Sequence, residues 1–385
     1  MKIIFLSRTS PSESRGGVFE SRSGLISALS KRYSNEDFIE ISIGRFAKRN
    51  KGNIKHISIN GFQSTFLDTM FLTNSKIFEE INKIRPDLLI CYGNTPPYNI
   101  ITLYFQKNFS TAIHIHGLFF KEIKYPTTLI ETILRKLIYC NIEKYMIERL
   151  KNLIVPSQYI KSLLEKRTKS KIFILPNGIN FKNIEETKPF IFYSYPNLIY
   201  IGGLHYIKGL DILIQAMSLI IKVFPKIKLY ILGIYRQEFL QRNYSFSKNV
   251  LSHIEFLGYI RSSKKFSYLK GADICIIPSR FETFSIVNIE SIACKIPVIA
   301  SDIGIFRERI IDGNSGLLFQ NENSYDLAMK IILLLNDRCL SKKIIYNSQK
   351  TIEKFDWEII SKDAMNIYKE IINEKETNNC KPQFL

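Results

Sequence analysis

No segment of this 385-residue chain approaches the ~18–20 consecutive apolar residues that a bilayer-spanning helix needs. The first residues do not read as a secretory leader either, because the apolar stretch KIIFL is short and runs into the polar SRTSPSESRGG. The six cysteines (Cys91, Cys140, Cys275, Cys294, Cys339 and Cys380) are scattered, with no C-x-x-C pair and no neighbouring histidines. That pattern excludes a disulfide frame and a zinc site, and reads as reduced cytosolic thiols, mostly in the core. There is no repeat at a solenoid period, no Gly/Ser linker, and no Asp/His cluster to hold a metal. Acidic residues are in short supply: 35 Asp and Glu stand against 54 Lys and Arg, a net charge of +19. No nucleic-acid module or Arg/Gly-rich segment accompanies that charge, which argues against nucleic acid as the partner. It leaves an anionic surface, or a compositional bias toward Ile, Lys and Asn without functional meaning.

What is present is an ordinary soluble composition, 45% apolar and 23% charged, in a chain long enough for two domains. Strand-like and helix-like segments alternate. Met1–Ser7 reads as a strand, Gly16-Gly17 as a tight loop and Phe19–Arg32 as the following helix, a β-loop-α unit. Asp87–Tyr92, Ser110–His116 and Leu153–Pro156 read as further strands. Phe181–Pro196 has charge, aromatics and prolines without periodicity. From Asn197 the alternation restarts, with helices expected at Leu210–Phe224 and Ser324–Leu335 and a last one at Trp357–Asn373. Thr127–Leu150 has helical spacing of its apolar residues and basic flanks at Lys121, Lys124, Arg135 and Lys136. Such a helix is either a core face or a surface that rests on acidic lipid headgroups.

The densest chemistry lies in PSRFETFSIVNIE, Pro278–Glu290. ADICIIP before it has the composition of a strand buried on both faces. Ser285 is a plausible N-cap for a helix carrying Ile286, Ile289, Ile292 and Ala293 on one side, which Lys295-Ile296-Pro297 stops. Glu282 then sits in the loop and Glu290 about two turns inside the helix. The N–H groups of the helix's first turn, with the positive end of its dipole, form an anion site between them. Lys208-Gly209 occupies a similar place after the strand LIYIGG, where a lysine and a helix N-terminus can act on the same phosphate oxygens.

Residues 196–368 resemble the nucleotide-binding half of the family-4 retaining glycosyltransferases. The matching pieces are LIYIGGLHYIKGLDILIQA, LYILG, IEFLGYI, ADICIIPSRFETFSIVNIESIACKIPVIASDIG, DGNSGLLF and FDWEII with Tyr368, in order over about 170 residues. The N-terminal half matches more thinly through MKIIFLS, GGVFESRSGLISALSKR, AIHIHG, LIVPSQYIKSLL and LPNGIN. The resemblance implies an α/β GT-B fold of two facing Rossmann-like domains with parallel sheets. Residues 1–183 would form the acceptor-side domain, 184–196 a linker and 197–356 the nucleotide-sugar domain. The helix 357–373 would cross back to the first domain and 374–385 would be a polar tail.

By the same resemblance, a nucleotide diphosphate sugar, UDP- or GDP-linked, is the donor, with no separate cofactor and no metal. The implied acceptor is a glycan or lipid-linked hydroxyl of surface-polysaccharide or lipopolysaccharide assembly, at the cytoplasmic face of a membrane. Glu282 would hold the sugar, Lys208 and the loop N–H groups the leaving diphosphate, and Glu290 the ribose. His116 would bond a sugar hydroxyl, Gly16 and Gly17 would approach the distal phosphate, and Asn94 would face the acceptor. The sequence departs from the family pattern in three places. Gly203 stands where an arginine is usual, so that His205, Arg280 or the Gly202-Gly203 backbone would have to substitute. Thr283 and Ser285 replace glycines beside Glu282, and Lys295 replaces another before the PV strand. The alternatives are another GT-B enzyme, such as an epimerase or a soluble glucan or sucrose-type synthase, and a non-catalytic subunit.

Overall fold

The structure, a computed structural model, describes residues 1–7, 16–43, 47–59, 66–93, 98–125, 140–203, 205–233, 247–260 and 262–379. The chain divides into two compact units, one of residues 1–124, 129–178 and 357–385, the other of 125–128 and 179–356.

The first unit is built on strands β1 (Lys2–Ser7), β2 (Asp37–Ile43), β3 (Ala47–Lys51), β4 (Ile54–Ile59), β5 (Leu88–Tyr92), β6 (Ser110–His114), β7 (Asn152–Val155) and β8 (Lys171–Ile174). Their order is β3-β4-β2-β1-β5-β6-β7-β8, parallel except for β3 against β4. Ile3, Phe5, Leu88 and Ile90 are fully buried, as central strands covered on both faces require. The helix Gly17–Arg32 covers one side through Leu25, Ile26 and Leu29, and the helix Trp357–Asn379 packs beside it with Ile360, Ala364, Met365 and Tyr368. Gly24 and Gly178 make room for the Trp357 indole. A Cβ at Gly178 would stand 2.6 Å from Trp357 Cδ2, and one at Gly24 would collide with Cε2 of the same ring.

The second unit holds β9 (Asn197–Ile201), β10 (Lys228–Leu232), β11 (Ile254–Gly258), β12 (Ile274–Ile277), β13 (Val298–Ser301) and β14 (Leu317–Phe319). All are parallel, in the order β11-β10-β9-β12-β13-β14. The helices Leu210–Val223 and Ser324–Asn336 cover one face, burying Leu213, Met217, Leu327 and Ile331 against Leu198, Ile276 and Ile299. Each unit is therefore doubly wound, with chain order reversing next to its first strand: between β1 and β5 in one, between β9 and β12 in the other. At such a reversal the two crossover connections leave toward opposite faces and open a crevice at the strands' carboxyl ends.

Two expectations from the sequence need correcting, and a third is only partly described. The segment read as a linker, 184–196, belongs to the second unit together with 179–183. Its aromatics find an apolar surface: Phe190 stacks on Tyr268 at 4.4 Å, Phe192 lies 4.3 Å from Tyr230, and Phe190 N–H donates to Ser267 O at 2.8 Å. The last helix runs past 373 to Asn379, and along it Lys171 pairs with Glu370 and, one turn on, with Glu374. Of the amphipathic stretch 127–150, the helix Cys140–Arg149 is seen, while 126–139 and Asn94 lie outside the described residues.

The Trp357 contact yields a compensation test. Gly24→Ala should lower the unfolding free energy by about 1–3 kcal/mol, as overpacking does, and Trp357→Leu in that background should relieve part of the loss. Urea unfolding followed by circular dichroism checks both, and a Gly24→Ala chain of unchanged stability would contradict the packing described.

Candidate functional site

The crevice between β9 and β12 gathers most of the residues that the sequence singled out. After β9 come Gly202 and Gly203, then a short 3-10 turn, Tyr206–Lys208, and Gly209 before the helix Leu210–Val223. After β12 come Pro278 to Ser285 and the helix Ile286–Ala293. The two loops are locked together. Arg280 N–H donates to Ile207 O at 2.8 Å, and a Cβ on Gly209 would collide with the Pro278 carbonyl. Gly209 also has φ 67°, so both the close approach and the left-handed turn call for glycine.

This closeness brings Lys208 and Glu282 into contact, with Nζ 2.6 Å from Oε1. Ser279 Oγ donates to the same carboxylate oxygen at 3.1 Å. The lysine side chain is 33% and the glutamate 13% exposed, so the pair faces an opening rather than the core. Spacing alone could not show that two residues 74 positions apart are partners.

Arg280, one candidate for the missing cation, is committed elsewhere. Its guanidinium is bidentate to Asp211, at 2.8 and 2.6 Å, donates from Nε to Glu322 at 2.6 Å, and stacks on Tyr206 at 3.6 Å. Burial works against its charge, but the hydrogen bonds to Asp211 and Glu322 outweigh that and raise its pKa above the usual arginine value. It cannot serve as the second phosphate cation without stranding Asp211. Gly203 follows β9 and its carbonyl accepts from the Tyr200 hydroxyl at 3.1 Å, while His205 sits at the N-cap of the 3-10 turn.

Ser285 does not cap its helix. Its backbone is left-handed, φ 62° and ψ 85°, with no side-chain cap bond, and its buried Oγ has no hydrogen-bond partner among the described residues. Lys295, the other position where the sequence departs from glycine, also keeps a positive φ, 61°. The backbone path thus persists without glycine, at a cost of about 1–2 kcal/mol per residue. Phe284 is buried and Ile286 opens the helix. Asn288, one turn in, is fully buried, and both its amide atoms lack partners among the described residues.

Glu290 is the fifth residue of an eight-residue helix, so it sits just over one turn inside rather than two. It is buried, and Lys265 reaches it with Nζ 2.6 Å from Oε1, the two side chains 9% and 5% exposed. Lys265 comes from the helix Ser262–Gly271, and nothing in its sequence context marks it as a partner. Among the described residues, no group of His, Cys, Asp and Glu could hold a metal.

In the first unit, Gly16 (φ 105°) precedes Gly17, the first residue of the helix after β1. His116 lies two residues beyond the end of β6, stacked 4.5 Å from Tyr92, whose ring also stacks on His114 at 4.7 Å. Burial, helped by the charge of Arg22, lowers the His116 pKa to about 3, so the ring is neutral near pH 7 and can both donate and accept. His114 is a structural group: it is buried, Nε2 lies 3.2 Å from the Tyr368 hydroxyl, and its pKa is also depressed by burial and by His116.

Comparison with known proteins identifies the domain type and the fold. Residues 182–351 match the model of the glycosyl transferases group 1, and that segment is a domain of this type. A glycosyltransferase of Methanocaldococcus jannaschii is 30% identical over 237 residues, covering 59% of this chain and 62% of that protein. A phosphatidyl-myo-inositol mannosyltransferase of Mycobacterium leprae is 27% identical over 203 residues, covering 51% and 53%. The chain therefore spans about half to six tenths of the length of the curated relatives it matches. Sucrose-phosphate synthase from Thermosynechococcus elongatus superposes with a TM-score of 0.81 at 19% identity, covering 97% of this chain and 99% of that one. WaaG, a glycosyltransferase involved in lipopolysaccharide biosynthesis, gives 0.74 at 16% identity, covering 95% and 99%. HepE of Anabaena, solved with UDP-glucose, gives 0.72 at 17%, covering 96% and 100%. At these identities the structures establish the fold, which is GT-B.

Two measurements test the site as described. Lys265→Met should lower the unfolding free energy by about 3–5 kcal/mol, because it removes the charge that matches the buried Glu290 carboxylate. Lys265→Met with Glu290→Gln should recover most of that in the same denaturation assay. The two buried histidines fix a pH dependence. Both have native pKa values below the unfolded 6.5, so stability is full above pH 6.5. It falls as pH drops toward 3, by up to about 1.4 kcal/mol per pH unit for each. His116→Asn should flatten that slope by one proton's worth, seen in denaturation midpoints between pH 6.5 and 4.

Proposed function

We propose that this chain is a retaining glycosyltransferase that moves a sugar from a UDP- or GDP-linked donor to a hydroxyl of a lipid-linked or surface-polysaccharide acceptor. The observation that carries this reading is the Lys208–Glu282 pair at the β9/β12 crevice, beside the first-turn N–H groups of the helix Ile286–Ala293.

A donor diphosphate would take Lys208 and the N–H groups of Phe284, Ser285 and Ile286, while the sugar hydroxyls would take Glu282. Each member of the ion pair then exchanges one partner for another, and neither charge is stranded. Charge growing on the leaving phosphate is stabilised by groups fixed beforehand, the arrangement that lowers a barrier most. Glu290, held on one oxygen by Lys265, would present its carboxylate to the ribose hydroxyls. The acceptor hydroxyl attacks the anomeric carbon from the face the diphosphate leaves, and its proton passes to that diphosphate, so Glu282 orients the ring without forming an adduct.

The relatives support the choice of chemistry. One is named a phosphatidyl-myo-inositol mannosyltransferase, and a structural neighbour was solved with UDP-glucose. The net charge of +19 favours an acceptor at an anionic cytoplasmic membrane surface. No helix among the described residues is long and apolar enough to cross a membrane.

A panel of nucleotide sugars scored by thermal shift, on the wild type and on Glu290→Ala, identifies the donor class. A UDP- or GDP-sugar should stabilise the first and not the second. Glu282→Ala should keep nucleotide affinity and cut transfer by at least ~10²-fold, the scale of a lost transition-state contact. Full transfer activity in that variant would remove Glu282 from the mechanism.

A further inference from the structure

The left-handed conformation of Ser285 is not held by its own side chain, which is buried without a partner among the described residues. What touches this turn is Arg309, 24 residues further on. Its Nη1 donates to the Phe284 carbonyl at 2.5 Å. Its guanidinium lies 3.7 Å from the centre of the Phe284 ring and 5.4 Å from that of Phe355. The two rings meet edge to face at 5.9 Å. Arg309 thus grips Phe284 by both backbone and side chain.

A trans peptide points its C=O and the next N–H in opposite directions. Fixing the Phe284 carbonyl toward the guanidinium therefore fixes the Ser285 N–H away from it, where the helix Ile286–Ala293 begins. We infer that Arg309 is a positioning residue: it holds the Phe284–Ser285 peptide in the orientation that a phosphate-binding loop needs, at a turn where glycine would hold it unaided. Functionally the inference rests on the donor-site reading above; its conformational half does not.

The same guanidinium brings a second positive charge behind the loop. Burial lowers its pKa to about 10, with Glu308 and Glu282 opposing that shift, so it remains protonated near neutral pH. Among the cations near the crevice, Arg280 is bound to Asp211 and Glu322 and Lys208 to Glu282. The hydrogen bond of Arg309 goes to a neutral carbonyl, and with no ion pair to it among the described residues its charge is left to act on an anion at the loop.

The experiment compares wild type, Arg309→Met, Ser285→Gly and the double variant in the full chain, by UDP and GDP calorimetry and by thermal melting. Arg309→Met should weaken nucleotide binding by about 10-fold or more, the worth of one charge-assisted hydrogen bond. Adding Ser285→Gly should restore at least about 3-fold of it, since glycine enters the left-handed region freely. Ser285→Gly should also raise the melting temperature more in the Arg309→Met background than in wild type. A double variant that binds no better than Arg309→Met and melts no higher overturns the inference, as does an Arg309→Met chain with wild-type affinity. If wild type itself binds neither nucleotide, the donor-site reading fails, and the melting comparison alone decides whether Arg309 holds the turn.

Discussion

The site depends on two connecting loops that leave neighbouring strands toward opposite faces of one sheet. In the second unit those strands are β9 and β12, and their loops approach so closely that Gly209 has no room for a Cβ beside Pro278. Contact between Lys208 and Glu282 follows from this approach. An ion pair that is partly exposed contributes little to stability. What it does is hold a cation and an anion side by side at the mouth of the crevice, 2.6 Å apart and partly open to solvent.

The deeper charges obey a stricter rule. Glu290 and Asp211 are buried, and each has a basic partner at 2.6 Å, Lys265 and Arg280. Arg22 in the first unit pairs with Glu40 at 2.7 Å. A charge removed from water costs several kcal/mol unless it is matched, so these pairs fix the directions of their side chains. Arg280 shows the consequence for chemistry. By residue type and position it was a candidate phosphate ligand, yet its neighbours consume its charge. Arg309 shows the reverse, since its hydrogen bond is to a carbonyl and, among the described residues, no carboxylate is in direct contact with its guanidinium.

Ser285 and Lys295 hold a backbone conformation that glycine would adopt more easily. Both positions keep φ near +60°. At Ser285 the contacts of Arg309 with Phe284 stand where glycine's freedom would otherwise suffice. The described turn is therefore held by a tertiary contact, and its stability is tied to the segment beyond β13 that carries Arg309.

The periodicity of apolar residues, read locally, located β1, β5, β9 and β12 and the helices that open with Gly17, Leu210 and Ser324, because burial on a parallel sheet writes itself into consecutive residues. The segment Pro278–Glu290 announced its carboxylates and helix N-terminus for the same reason: these are neighbours in sequence. The segment 184–196 was misread as a linker because what orders it, the rings of Tyr230 and Tyr268, comes from strands and helices much further along the chain. Sequence by itself determined the alternation of elements, the doubly wound class and the residue types available at the loops. Only the tertiary structure decided which charge meets which, since Lys208 with Glu282, Lys265 with Glu290 and Arg309 with Phe284 are joined across space by sheet order. No local pattern encodes a contact between loops that the chain reaches only after crossing the sheet.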